Sequence, residues 1–155
     1  MTCYRAVYRD YRAEPLASRS PAGRFHSGAA PGSITYLAAE PTTAWQEVTA
    51  RWGAEPKCYW MAEVQVKLTR VADLTDPKTQ AHYDVDEHVL TGADHRPCQQ
   101  LAERLRAEGF EAAWTYSRAD KPHGRQLVVF LDGLRPGSSV RVRKVSPVRD
   151  LLPEL

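Results

Sequence analysis

An alternation of apolar and polar side chains from Ala62 to Thr69 constrains the fold of this chain more than any other feature. Ala62, Val64, Val66 and Leu68 are apolar, and the residues between them are polar or charged. Side chains of a β-strand point in turn to opposite faces, so a period of two predicts a strand with one buried face. The chain must therefore build a sheet that rests on a hydrophobic core.

The segment after Pro41 has the spacing of a short amphipathic helix. Thr43 and Gln46 are spaced as in a capping box, in which two side chains satisfy the first N–H groups of a helix. Gly53 is a typical stop signal. The apolar residues in between recur at helical spacing, and we expect them to face the core: Trp45, Val48 and Trp52.

A second helix is predicted from about Pro97 to Glu108. Its apolar positions recur at i, i+3, i+4 and i+7, and Gly109 follows as a C-terminal signal. The apolar stripe comprises Cys98, Leu101, Ala102 and Leu105. We expect the polar face to be solvated, and it carries Glu103, Arg104 and Arg106.

Further strands are predicted where apolar runs lie between turn residues. They are Cys3 to Val7, Ser33 to Ala38 after the Pro31-Gly32 turn, Phe110 to Tyr116, Gln126 to Leu131, and Ser139 to Val145. The last three are expected to form a meander. With 155 residues, 43% of them hydrophobic, the chain can bury one sizeable core. We predict a single α+β domain over residues 1–155, with residues 146–155 as a C-terminal tail.

Charge and cysteine content exclude several broad classes of protein. The 21 basic and 19 acidic side chains leave a net charge of +2, too little for a general attraction to nucleic acid or anionic lipid. Cys3, Cys58 and Cys98 include no C-x-x-C pair and are odd in number, so neither a disulfide framework nor a zinc knuckle is expected. Arginines stand where a signal peptide would have its apolar stretch. We expect a soluble, cytoplasmic protein with no membrane partner.

Familiar nucleotide, hydrolase and metal motifs are missing from the sequence. Gly23 and Gly28 have the spacing of a phosphate-binding loop, but Ala29-Ala30 follow where Lys and Ser or Thr are required. No strand is followed by G-x-G-x-x-G, and there is no G-x-S-x-G. We predict no metal site, because the possible ligands His82, His88, His95 and Cys98 lack zinc spacing and lie in an otherwise polar segment. The three histidines are expected at the surface.

Three residues of the first third of the chain, Arg24, Tyr36 and Glu47, have both a structural and a functional interpretation. Arg24 is either a surface residue or a guanidinium that grips a phosphate with two bonds. Tyr36 suits a core ring as well as a ring that stacks on a base. Glu47 lies off the apolar stripe of its helix, so it is either a solvated carboxylate or a functional one.

Short motifs along the chain, taken in their order and spacing, resemble those of the RES domain family. Its members are bacterial toxins, and the family is named for an arginine, a glutamate and a serine. The resemblance extends over about Tyr4 to Phe130. Its elements are Tyr4-Arg5, Gly23-Arg24-Phe25, Tyr36-Leu37-Ala38, Pro41 to Glu47, Asp73 to Asp76, Gly109 to Ala112, Tyr116-Ser117-Arg118 and Gly124 to Phe130. The sequence departs from the family pattern at Ala22 and Ala113, where glycine is usual, and lacks a proline before Ser117.

The resemblance implies an ADP-ribosyltransferase-like fold with a split β-sheet and flanking helices. It also implies that NAD is the substrate, that the nicotinamide–ribose bond is cleaved, and that inorganic phosphate or water is the acceptor. Glu47 would stabilise the developing positive charge on the ribose, and Arg24 would hold the pyrophosphate or an attacking phosphate. Tyr36 would contact the nicotinamide side, Ser117 would complete the hydrogen-bonding set, and Arg5 would be a second anion ligand.

Two other functions stay open at this point. The same cleft could transfer ADP-ribose to a protein. A different class is a non-catalytic module that binds nucleotides or nucleic acid through a basic C-terminal segment: Arg135, Arg141, Arg143, Lys144 and Arg149. That segment lacks interleaved aromatic residues, so a solvated strand face is the simpler interpretation. The resemblance further implies a neutralising partner, either a helix-turn-helix antitoxin of the Xre type or an immunity protein.

Overall fold

The computed structural model describes residues 1–17, 22–27 and 33–155. The predicted Pro31-Gly32 turn and the Gly28 to Ala30 segment lie outside these ranges. The strands are β1 (Thr2–Tyr8), β2 (Ile34–Ala38), β3 (Tyr59–Lys67), β4 (Val71–Asp73), β5 (Ala112–Tyr116), β6 (Arg125–Phe130) and β7 (Ser139–Pro147). The helices are α1 (Pro41–Trp52), α2 (Pro77–Tyr83), α3 (Glu87–Thr91), α4 (Arg96–Ala107) and α5 (Val148–Leu151).

The described strands form one sheet in the order β4-β5-β6-β2-β1-β3-β7. The β4–β5 pair is parallel and the other neighbours are antiparallel. In the described part of the chain, β1 and β2 meet only where Tyr4 lies opposite Ala38, whereas β1 and β3 pair along their whole length. The sheet is therefore split between β2 and β1, as the family resemblance implies, and the fold is a single α+β domain.

Both faces of the sheet are covered by apolar side chains. Leu37, Val64 and Leu127 belong to a cluster on one face. On the other face, α4 packs its predicted stripe against β2, β5 and β6, and α1 packs against β1 and β3. The strand at β3 and the helix at α4 are confirmed, because Val64 and Val66 are buried while Gln65 and Lys67 are exposed, and all four stripe residues of α4 are buried.

The start of α1 differs from the prediction. The N-cap is Glu40 and the helix begins at Pro41, whose fixed φ suits the first helical position and whose missing N–H would have had no partner there. Thr43 is therefore inside the first turn, and its hydroxyl bonds Asp120 instead of capping the helix. Gly53 ends α1 in the left-handed conformation with φ +59°, as expected.

The apolar stripe of α1 is only partly buried. Trp45 is buried, but Trp52 is 64% exposed, so its prediction as a core residue is wrong. The reason is its position in the last turn, at the edge of an open cavity.

The predicted C-terminal meander is also wrong. β5 and β6 are neighbours, but β7 crosses to the other edge of the sheet and pairs with β3. Without β7 the long edge of β3 would be unpaired, and β7 pairs with it at eight positions, with a bulge between Glu63 and Val64. Within residues 146–155, the side chains of Val148 and Leu152 are buried and belong to the core cluster around α1. Arg106, expected in solvent, forms an ion pair with Asp132.

The three cysteines are free thiols, and Cys3 and Cys98 are buried. Within residues 1–17, 22–27 and 33–155, no three His, Cys, Asp or Glu side chains form a group able to hold a metal ion. The longest helices of these ranges have twelve residues, and none has the length and apolar character needed to span a bilayer.

Candidate active site

A cavity of about 1140 Å³ opens at the split in the sheet. One wall is β1, another is the inner face of α1, and the third is the turn formed by residues 22–26. β1 and β2 are paired at one described position, and side chains of both strands line the cavity. Three predicted site residues, Arg24, Tyr36 and Glu47, line this space although they come from three different elements.

Glu47 projects from the middle of α1 and is oriented by Ser117, which follows β5. The Ser117 hydroxyl donates a hydrogen bond to Oε1 of Glu47, and the two residues are 70 positions apart in the chain. Ser117 is 1% exposed, and it is not among the described residues that line the cavity. The arrangement gives Glu47 a defined position at the cavity wall, with Ser117 behind it.

Arg24 is presented by a tight turn in which Gly23 and His26 exchange backbone hydrogen bonds of 2.8 and 3.4 Å. Gln99 of α4 donates its side-chain amide to both carbonyl groups of this pair. A side chain at Gly23 would come within 2.6 Å of the His26 ring, so only glycine fits. Arg24 Nη1 donates to the Gly92 carbonyl at 2.5 Å, which leaves a guanidinium with several further donors beside the cavity.

Tyr36 lies half-buried on the helix-covered face of β2, packed against the core and lining the cavity. Its hydroxyl accepts the Phe25 N–H at 3.0 Å and lies 2.8 Å from Nδ1 of His26. Burial raises the pKa of Tyr36 to about 12, so it is a neutral hydrogen-bonding group at physiological pH. Tyr36 therefore packs against the core and also lines the cavity, and its contact with a substrate stays a prediction.

Arg5 reaches across the split from β1. Its guanidinium donates to the Thr35 hydroxyl on β2 and to the carbonyl groups of Leu16 and Ala17, each at 3.3 Å. These bonds tie the two halves of the sheet and the following segment together. Arg5 also lines the cavity, and its role as a second anion ligand stays a prediction.

The lining of the cavity is strongly biased in charge. Among the described residues, Glu47 is the one carboxylate that lines it, together with four arginines, Arg5, Arg24, Arg51 and Arg118. His95 lines the same space, and burial, followed by the charges of Arg24 and Arg118, lowers its pKa. This excess of positive charge favours an anionic ligand. Glu47 adds one negative charge to the wall of the same cavity.

Several lining residues were missed by sequence reasoning. His95, expected at the surface, is half-buried, whereas His82 and His88 are exposed as predicted. His26 is buried against Tyr36, and Arg118 directly follows Ser117. His26 and Arg118 could have been proposed as lining residues, because they are close in sequence to Arg24 and Ser117. His95 had no such signal, because it comes from the start of α4, far along the chain from the other residues of the cavity.

Aromatic side chains form the mouth of the cavity. Tyr8, Tyr11, Tyr59 and Trp52 all line it, and Tyr8 packs edge to face against both other tyrosines. Tyr11 and Trp52 are 45% and 64% exposed, so part of each ring faces solvent.

Comparisons with known proteins identify a family and a similar fold. Residues 2–151 match the family model described as RES domain, and no curated protein matches the chain. A matching solved chain comes from the crystal structure of the M. tuberculosis MbcT–MbcA toxin–antitoxin complex, with 21% identity and a TM-score of 0.77 over 97% of this chain and 87% of that one. At this identity the structural likeness is one of fold. Because the family match spans almost all of the sequence, this chain belongs to the RES domain family.

Proposed function

We propose that this protein is an NAD-consuming toxin that cleaves the bond between nicotinamide and ribose. The observation that carries the proposal is the position of Glu47, which Ser117 orients. Among the described residues it is the single carboxylate of a cavity whose lining also includes four arginines and several aromatic rings. Family membership supports an enzyme of this kind, and the implied substrate has both the anionic and the aromatic groups that such a lining would bind.

The chemistry needs little from the protein beyond charge and position. The bond from ribose C1′ to the ring nitrogen of nicotinamide breaks, and its electron pair neutralises the pyridinium, so the leaving group requires no proton. The ribose passes through a state with oxocarbenium character, and Glu47 places negative charge beside it. An oxygen of water or phosphate then bonds to C1′, and the proton that water would lose goes to solvent.

The remaining lining groups suit a dinucleotide. Arg24 and its neighbouring arginines supply bidentate donors for a pyrophosphate. The exposed rings of Tyr11 and Trp52 supply stacking surface for a base, and the Arg51 guanidinium lies 5.0 Å from the Trp52 ring. A volume of about 1140 Å³ lies just above the range of about 300–1,000 Å³ that is common for ligand sites, and it suits a substrate as long as a dinucleotide.

Two alternatives remain for the activity. Transfer of ADP-ribose to a protein would use the same groups and differ only in the acceptor. A non-catalytic nucleic-acid module would use β7, whose Arg141, Arg143 and Lys144 are exposed. β7 is an edge strand, and charged side chains on an edge also prevent pairing with other sheets, which accounts for them without a ligand.

The proposal includes a neutralising partner. The M. tuberculosis chain of the same fold is part of a complex with its antitoxin. We therefore propose that this chain acts in the cytoplasm and is held inactive by an antitoxin, with a helix-turn-helix protein of the Xre type as first candidate and an immunity protein as second.

The deciding experiment is incubation of the purified protein with NAD, with and without phosphate, followed by mass analysis of the products. Free nicotinamide with ADP-ribose indicates hydrolysis, and a phosphorylated ADP-ribose formed only with phosphate indicates phosphorolysis. An ADP-ribose adduct on added protein indicates transfer. Unchanged NAD together with nucleic-acid binding that is lost on a mild increase in salt would favour the binding module.

A further inference from the structure

Two side chains on one face of α1 are bonded to the same loop. Thr43 and Glu47 are four residues apart, so they lie one turn apart on the helix. Ser117 donates to Glu47, and the Thr43 hydroxyl donates to Oδ2 of Asp120 at 2.6 Å, across 77 positions of sequence. The segment from Ser117 to Gly124, which we name the β5–β6 loop, is thus joined to α1 at two points.

The Thr43 hydroxyl bonds a residue outside its own helix. Thr49, in the middle of α1, bonds the Trp45 carbonyl four residues earlier at 2.8 Å, but the residue four before Thr43 precedes the N-cap, so the helix offers Thr43 no such carbonyl. Thr43 is 1% exposed and instead directs its hydroxyl out of the helix to a carboxylate. A hydrogen bond to a charged carboxylate is stronger than one to a neutral carbonyl, so the bond from Thr43 holds Asp120 in position.

The bonds run in one direction toward Glu47. The Asp120 carboxylate accepts from Thr43, the Asp120 N–H donates to Oγ of Ser117 at 3.1 Å, and the Ser117 hydroxyl donates to Glu47. Because the Ser117 oxygen already accepts the Asp120 N–H, its own proton is directed to Glu47. A hydroxyl that accepts one hydrogen bond donates a stronger one, so the bond from the Asp120 N–H reinforces the bond from Ser117 to Glu47. Thr43 contributes by holding Asp120 in position.

The β5–β6 loop is closed by its own backbone. Gly124 N–H donates to the Asp120 carbonyl at 2.7 Å, and Ser117 N–H donates to the Gly124 carbonyl at 2.8 Å. A side chain at Gly124 would come within 2.6 Å of the Asp120 carbonyl oxygen, so this close approach requires glycine. Asp120 therefore cannot shift without moving Ser117.

We propose that Thr43 and Asp120 are positioning residues that hold Glu47 in its catalytic orientation by acting through Ser117. The inference rests on the proposed function, because it assigns their effect to the step that Glu47 promotes. Neither residue is among the described residues that line the cavity, so neither is expected to contact NAD.

The test compares Thr43→Val, which keeps the shape and removes the hydroxyl, with Thr43→Ser, which keeps the hydroxyl. Thr42→Val is the matched control, since Thr42 is the exposed neighbour on the same helix. We expect kcat for NAD consumption to fall about tenfold or more in Thr43→Val, because small displacements of a catalytic group are costly. KM for NAD should stay within about twofold, Thr43→Ser should restore most of kcat, and Thr42→Val should match the wild type.

Two further measurements separate positioning from a general structural role. In a Ser117→Ala background, Thr43→Val should lower kcat by less than about twofold, because the path through Ser117 is already broken. Amide hydrogen exchange at Asp120 and Gly124 should be about tenfold faster in Thr43→Val than in the wild type, and this readout needs no NAD turnover. If Thr43→Val does not fold, Asp120→Ala, which removes the acceptor of the Thr43 hydroxyl and keeps the backbone N–H, replaces it under the same criteria.

The outcomes are distinguishable. An active wild type with unchanged kcat in folded Thr43→Val would overturn the inference and leave the proposed function standing. Equal losses in the wild-type and Ser117→Ala backgrounds would also overturn it, since they would show an effect that does not pass through Ser117. A wild type that does not consume NAD would overturn the proposed function, and the inference with it.

Discussion

Replacement of Glu47 by glutamine removes one negative charge from the cavity and changes little else. The amide oxygen of glutamine can still accept the hydrogen bond from Ser117, and the side chain keeps its volume. Glu47 is half-buried on α1 and is not part of the apolar clusters. We therefore expect the free energy of unfolding of Glu47→Gln to stay within about 0.5 kcal/mol of wild type.

The effect on catalysis should be large. Two unit charges about 4 Å apart interact by about 4 kcal/mol at an effective dielectric constant of about 20. Removal of one preorganised electrostatic group in other enzymes costs about 3–4 kcal/mol, or about two to three orders of magnitude in kcat. No second carboxylate among the described residues lines the cavity to substitute for Glu47, so we expect a loss in this range.

The assay is release of nicotinamide from NAD, followed over time at saturating substrate. Glu40→Gln is the matched control, because Glu40 precedes the same helix, is exposed and makes no side-chain cap bond. Thermal unfolding establishes that both variants are folded. Near-normal turnover by folded Glu47→Gln would refute the electrostatic role.

Three further predictions follow from the geometry. Arg24→Lys should weaken NAD binding by about 1.5–3 kcal/mol, since a single ammonium cannot reproduce the bidentate grip; isothermal titration in the Glu47→Gln background, where turnover is slow, checks this, and unchanged affinity would contradict it. Ser117→Ala should cost about 1–3 kcal/mol in kcat/KM, less than Glu47→Gln, without a covalent intermediate; an ADP-ribose adduct on Ser117, detected by intact-mass spectrometry during turnover, would overturn its role as a hydrogen-bond donor. Burial opposes ionisation of Glu111, but surrounding hydroxyl and amide donors outweigh it and lower its pKa from 4.5 to about 2. The contribution of Glu111 to the free energy of unfolding should therefore be complete above pH 4.5 and be lost as the pH drops toward about 2. Urea unfolding at several pH values should show a flatter acid dependence for Glu111→Gln than for the wild type.

Glu111 has a structural role that the sequence did not reveal. The motif that contains Glu111 resembles a family element, and sequence reasoning assigned it no role. In the structure, Glu111 is fully buried and accepts bonds from Thr69, Arg70 and Arg135. This carboxylate therefore joins the β3–β4 turn to the segment before β7. The motif that contains Glu111 thus stabilises the fold, and Glu111 is not among the described residues that line the cavity.

The sequence by itself determined the elements whose signals are local. The strand at β3 and the apolar stripe of α4 follow from periods of two and 3.6 residues, which state which face of an element is apolar. The end of α1 at Gly53 follows from the conformational freedom of one residue. The order of short motifs was enough to indicate the RES domain family, and the family match over residues 2–151 confirms it.

Only the tertiary structure decided which elements meet. Periodicity does not state a strand's partner, so the crossing of β7 to β3 could not be read from the apolar pattern. The bonds from Ser117 to Glu47 and from Thr43 to Asp120 join residues 70 and 77 positions apart. Such contacts depend on how the whole core packs, and a polar side chain has no local signal for a partner so distant. The exposure of Trp52 has the same cause, because a helical stripe is buried only where another element covers it, and at Trp52 the split sheet leaves a cavity.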